Sequence, residues 1–255
     1  ALGIHTTFFG QGRLPQRPIT AYLRELTKKG ITFDYHNTMP FTIDGKLRSG
    51  VFELEGDVSS QYVTGLLFAL PLLDGDSEIR MLSKLESKPY VDLTIACLRH
   101  FGISVQETEQ GYAVAGGQQY HACDLTVEGD YSQAAFFCVA NALGSDITLT
   151  NLNPESVQGD KKIVEIVREM CYNREQGLPA GFTVDAADIP DLVPILAVLA
   201  TFGTAPSSIT GAHRLAIKES DRLASTADLL NRLGGKVTAT PDGLEIEPVE
   251  QLHGG

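Results

Sequence analysis

Apolar and polar positions along this chain fall into a pattern that repeats. In "LEGDVSSQYVTGLLFALPLLDGDSEIRM" (54–81) and "VEGDYSQAAFFCVANALGSDITLTNL" (127–152) the order is the same. A short run ends in Glu-Gly-Asp, and a serine-containing cap, an apolar helix, a turn and a second short run follow. Strand, helix, strand is the prediction for each, because apolar spacing and a Ser cap mark the helix. "FTVDAADIPDLVPILAVLATFGTAPSSITG" (182–211) is a looser third copy with Pro190 at its helix start.

A second half-unit follows. "SKPYVDLTIACLRHFGISVQETEQGYAVAGG" (87–117) matches "KESDRLASTADLLNRLGGKVTATPDGLEIEP" (218–248). Each predicts a helix, a stopping glycine (Gly102 or Gly234) and a hairpin turning over "EQG" or "PDG". Residues 17–46 give the same half-unit, and 158–177 a degenerate one without a stopping glycine. The module is βαβαββ, an α/β architecture. It predicts two complete modules, a less regular one and an opening half-unit, as though the chain were cut from a longer repeat array at both ends. A boundary near 124–128 divides it into two lobes, 1–126 and 127–255.

Charge sharpens the picture. Lys218 and Arg222 in "IKESDR" are four residues apart. On one helix face they would repel by a few tenths of a kcal/mol, at the end where the helix dipole disfavours cations. Arg17-Pro18, Ser87-Lys88-Pro89 and Asp160-Lys161-Lys162 repeat the placement at other predicted helix starts, with Pro18 and Pro89 suited to the first helical position. If the modules share an orientation, several helix N-termini and their cations face one region, and that is an anion-binding surface. The alternative is ordinary capping by Ser59, Ser60, Ser132 and Ser220. Asp191 in "DIPD" is equally at ease in a first turn or as a proton acceptor, and Glu219 between two cations suits proton transfer. His213 reads as a loop residue, and Tyr90 as a packing residue or a ligand contact.

Composition excludes several classes. The 255 residues, 43% hydrophobic and 20% charged, are enough for one large or two ordinary domains. A net charge of −12, with the acids dispersed, argues against a nucleic-acid surface. No apolar run approaches the roughly 18 residues of a membrane span, and the opening lacks the basic-then-apolar order of a secretory signal, so a soluble, cytoplasmic protein is expected. Cys97, Cys123, Cys138 and Cys171 show no C-x-x-C spacing, and the histidines form no metal-binding pattern. Cys97 and Cys138 read as small core residues. From residues alone the expectation is a cleft for polyanionic small molecules with carboxylates nearby.

Six stretches, "GQGRLPQRP", "VSSQYVTGLL", "SKPYVDLT", "VEGDYSQAA", "DIPDLVP" and "IKESDRL", resemble in order and spacing the 5-enolpyruvylshikimate-3-phosphate (EPSP) synthases. The resemblance implies two lobes closing on a cleft, with no metal or cofactor. It implies transfer of the enolpyruvyl group of phosphoenolpyruvate to the 5-hydroxyl of shikimate 3-phosphate, a step towards chorismate and aromatic amino acids that glyphosate inhibits in such enzymes. It assigns Ser59, Ser60 and Ser87 to the shikimate phosphate, Gln61 to both substrates, Tyr90 and Lys218 to the shikimate ligand, and Arg13 and Arg222 to phosphoenolpyruvate. Asp191 and Glu219 take proton-transfer roles. No nucleic-acid or membrane partner is implied, and the complete enzyme is expected to be a monomer. The family's early Lys-Ser/Thr, Arg and N-A-G-T stretches, its D-H-R motif and a C-terminal lysine have no counterpart here. Arg214 stands where some members have Asn. A fragment inactive by itself is therefore expected. Two alternatives remain, the sister transferase acting on UDP-N-acetylglucosamine, which lacks "KESDR" and uses a loop cysteine, and a non-catalytic anion-binding repeat protein.

Overall fold

The computed structural model describes residues 3–218 and 220–254. They form two compact units, Ala1–Leu125 and Thr126–Gly255. In the first, β4 (Val51–Leu54), α2 (Ser60–Ala69), β5 (Ser77–Met81), α3 (Lys88–His100), β6 (Gln106–Thr108) and β7 (Gly111–Val114) make one βαβαββ module. Its sheet order is β4-β5-β7-β6, with β4 parallel to β5 and the remaining pairs antiparallel. The second unit repeats this with β8 (Thr183–Asp185), α6 (Val193–Thr201), β9 (Ser207–Thr210), α7 (Arg222–Arg232), β10 (Lys236–Thr240) and β11 (Gly243–Glu247), in the order β8-β9-β11-β10. The stretch that looked like the looser copy is thus the regular one.

Period-two alternation sends Phe52, Leu54, Ile79, Tyr112 and Val114 to the face that α2 and α3 cover. In the second unit α6 is apolar on every side and lies within the core with Val184, Ile209, Leu244 and Ile246 of the sheet. Cys138 packs against that core, where burial raises its thiol pKa.

Between the modules the expected pattern fails in part. Residues 127–130 and 147–152 flank α4 (Tyr131–Ala142) without forming strands. Gly129 N–H donates to Asn151 O at 2.7 Å, but Asn151 adopts a left-handed φ of 62° and interrupts the extended run. After α5 (Ile163–Glu175) the chain proceeds to β8 with no hairpin, so a parallel pair here would have no third strand to rest on. A stopping glycine is nevertheless present: Gly177, at φ 67°, ends α5, and Leu178 N–H reaches back to Asn173 O.

The opening half-unit supplies α1 (Thr20–Lys28), β2 (Ile31–Asp34) and β3 (Phe41–Gly45), with β1 (Thr6–Phe8) on the far side of β3. Pro18 precedes the helix, which starts at Thr20, rather than occupying its first position. Two charged neighbours dock α1 on the edge strand β4. Arg24 donates to Glu53 O at 2.5 Å, and Glu25 accepts Glu53 N–H at 3.1 Å, so side chains satisfy backbone groups that an edge strand exposes. Glu25 is 1% exposed. Burial alone would raise its pKa, but hydrogen bonds from Arg24, Lys28 and Glu53 N–H hold it below the ordinary 4.5. Its folded-state pKa being depressed, its stabilisation is present above pH 4.5 and is lost as pH falls through the lower folded value. Glu25→Gln is expected to cost about 1–3 kcal/mol at pH 7, with the gap narrowing on acidification. Denaturant unfolding at both pH values checks this, and a gap independent of pH would contradict it.

Candidate active site

Parallel strands followed by helices place their helix starts at one edge of the sheet, where open α/β sheets take ligands. In the first unit, the loops after β4 and β5 lie against each other. Leu82 N–H donates to Leu54 O at 2.8 Å and Glu86 N–H to Gly56 O at 3.1 Å. A Cβ on Gly56 would come within 2.6 Å of Lys84 O, so only glycine permits this approach. Ser59 caps α2, its Oγ accepting Gln61 N–H at 3.3 Å, and Ser60 is the first helical residue. Ser87, the residue before α3, is 3% exposed and left-handed at φ 56°. A non-glycine residue in that region costs about 1–2 kcal/mol, and such conformations cluster at ligand clamps. Tyr90 is half-buried in the first turn of α3. The start of α1 joins this edge through Tyr62, whose hydroxyl donates to Pro18 O, and Tyr22, whose hydroxyl donates to Tyr62 O at 2.8 Å.

The equivalent edge of the second unit follows β8 and β9. Asp191 sits in a 3-10 turn, Pro190–Leu192, ahead of α6, and Arg222 opens α7. Their side chains pair at 2.7 Å. Asp221, not Ser220, caps α7, accepting Ala224 N–H at 3.0 Å. Lys218 lies outside the helix, extended at φ −77° and ψ −168° after the 3-10 turn His213–Ile217. The repulsion expected between Lys218 and Arg222 on one helix face therefore does not arise, and Asp191 and Asp221 both offset the cation at the helix start. Arg214, 4% exposed, donates to Ala187 O at 2.8 Å and so ties the loop after β9 to the loop after β8.

Not every expected cation is available. Lys88 pairs with Asp92 at 2.7 Å and with Glu107 at 3.3 Å. Lys161 donates to Pro154 O at 2.9 Å. The start of α4 is capped by the chain's own acid, and two further acids bond side chains close by. Asp130 caps α4, buried Asp160 takes the Ser132 hydroxyl, and Glu128 accepts from Ser156, Gln158 and Asn153. At the start of α4 a resident carboxylate, Asp130, thus already holds a helix N–H, and the expected anion-binding arrangement does not recur there. Arg13 stands exposed ahead of the 3-10 turn Leu14–Gln16. Glu219 lies outside the described residues. Among those described, no group of three or more His, Cys, Asp or Glu side chains could hold a metal, and no helix is long and apolar enough to cross a membrane.

The family model for EPSP synthase (3-phosphoshikimate 1-carboxyvinyltransferase) matches residues 1–255. The chain belongs to the EPSP synthase family. It is 40% identical over 259 residues to the 3-phosphoshikimate 1-carboxyvinyltransferase of Clostridium beijerinckii, covering 97% of this chain and 60% of that protein. The Clostridium kluyveri relative is 43% identical over 265 residues, covering 100% and 62%. The fold matches a solved EPSP synthase from Acinetobacter baumannii with a TM-score of 0.73 at 23% identity, covering 98% of this chain and 61% of that one. The chain therefore spans about 60% of the length of the curated relatives it matches.

Within this family frame, sequence reading missed several residues. Cys123 is exposed between β7 and α4, in a stretch without regular structure, so a loop cysteine of the kind the sister transferase uses is present here. Ser83 and Asp57, which join the two loops of the first edge, also escaped. Their only sequence signal was closeness to Ser87 and Ser59.

Proposed function

We propose that this chain carries two substrate-handling edges of an enzyme that moves the enolpyruvyl group of phosphoenolpyruvate to the 5-hydroxyl of shikimate 3-phosphate and releases phosphate. What carries the reading is position within each module. Ser59, Ser60, Gln61, Ser87 and Tyr90 fall on the helix-start edge of the first unit, and Asp191, Lys218 and Arg222 on the equivalent edge of the second. Helix N-termini and hydroxyls suit a phosphate dianion, because N–H donors and the positive dipole end act together.

In this scheme Asp191 takes the 5-hydroxyl proton as that oxygen adds to C2 of phosphoenolpyruvate and C3 gains a proton. C3 then gives up a proton as phosphate leaves C2. Glu219 serves the proton at the C2/C3 end. Arg222, Lys218 and Arg13 neutralise phosphate and carboxylate charge. Arg222 already rests on Asp191 at 2.7 Å, so the proposed proton acceptor and a cation proposed to meet substrate anions are neighbours. The reading places the complete enzyme in the cytoplasm as a monomer acting on small metabolites, without cofactor, nucleic-acid or membrane partner.

Calorimetric titration tests it. The chain is expected to bind shikimate 3-phosphate saturably and to prefer it to UDP-N-acetylglucosamine. Preference for the sugar nucleotide, or no binding of either, would overturn the reading.

A further inference from the structure

An acid stands where electrostatics would not put one. Asp57 lies two residues before Ser59, on the edge assigned above to a phosphate dianion, and its charge opposes that ligand. Its geometry suggests the reason. Ser83 Oγ donates to Asp57 Oδ1 at 2.8 Å and accepts Gly56 N–H at 2.9 Å. One hydroxyl thus joins the loop carrying Ser59, Ser60 and Gln61 to the loop carrying Ser87 and Tyr90, at the point where Gly56 brings the two backbones into contact.

We propose that Asp57 and Ser83 form a latch that sets the spacing between the starts of α2 and α3, making both positioning residues for the phosphate-bearing substrate. The inference rests on the functional reading above. A dianion bridging two helix starts needs donors from both loops at once, and each donor works only within a few tenths of an ångström of hydrogen-bond distance. Backbone bonds alone, Leu82 to Leu54 and Glu86 to Gly56, leave the loop between them free to pivot. The Gly56–Ser83–Asp57 chain fixes that pivot. Carboxylate is suited to the task because a hydrogen bond to a charged acceptor is about twice as strong as a neutral one.

Titration of the chain with shikimate 3-phosphate separates positioning from charge. Asp57→Ala and Ser83→Ala are expected to weaken binding about fivefold or more, while Asp57→Asn and Ser83→Thr, which keep an acceptor and a hydroxyl, stay within about twofold of the unaltered chain. If charge alone mattered, Asp57→Ala and Asp57→Asn would both bind more tightly, and that result overturns the proposal. Unchanged affinity of Ser83→Ala beside a lowered Tm also overturns it, since the role is then structural only. Amide hydrogen exchange on the ligand-free chain supplies a second readout: Ser83→Ala should speed exchange at Gly56 and Glu86 but not in β7. Unchanged exchange refutes the latch whatever binds. Faster exchange in a chain that binds no shikimate 3-phosphate supports the latch and refutes the substrate reading.

Discussion

Asp191→Ala, in an active enzyme containing this chain, is expected to lower turnover by about 10²–10⁴-fold, the usual weight of a general base, while shikimate 3-phosphate still binds. Asp191 sits in the second unit, whereas the serines assigned to the phosphate belong to the first, so its loss removes a proton acceptor without touching those donors. Its partner matters too. Arg222 Nη1 lies 2.7 Å from Asp191 Oδ1, and alanine removes a negative charge beside that guanidinium without adding one, so phosphoenolpyruvate affinity should hold as kcat falls. A defect in kcat without a matching rise in KM identifies an interaction made in the transition state. Asp191→Asn is the control, since it keeps a side-chain oxygen for Arg222 but cannot take the proton. Near-normal turnover in either variant would remove Asp191 from the chemistry.

The 255-residue chain by itself is expected to turn over at least about a thousandfold more slowly than a complete family member, because reacting groups must be held within a few tenths of an ångström. It spans about 60% of its relatives' length, and the early lysine and arginine contacts that the resemblance implies have no counterpart in it. Binding should survive better than rate, since the serine-bearing edge is assembled within one unit from α1, α2 and α3. A steady-state phosphate-release assay on the purified chain decides the matter, and rates like those of a complete enzyme would contradict the assignment of essential contacts to the remaining length.

How much of this was legible in the sequence depended on the period of the pattern. The module 51–114 was readable because its strands alternate, its helices carry apolar stripes and its breaks fall at glycine. The second module was also readable, but 182–211 looked irregular because α6 is buried on every side and so shows no polar face. The pattern around α4 misled for the opposite reason. The Glu-Gly-Asp motif persists, and Gly129 still meets a facing backbone as Gly56 does, yet Asn151 breaks the strand and no hairpin follows α5. Charge was harder to read than pattern. That Lys218 lies off the helix, that Lys88 pairs with Asp92 and Glu107, and that Arg24 and Glu25 seal a strand edge are long-range facts that local spacing does not encode.

The central claim is that phosphate-bearing substrate is held where helices begin, at the strand ends of each module. Backbone amide shifts of the chain titrated with shikimate 3-phosphate test it most directly. The account predicts saturable shifts centred on Ser59, Ser60, Gln61, Ser87 and Tyr90. Shifts centred instead on the opposite helix ends, around Leu70, Phe101, Leu143 or Phe202, would contradict it.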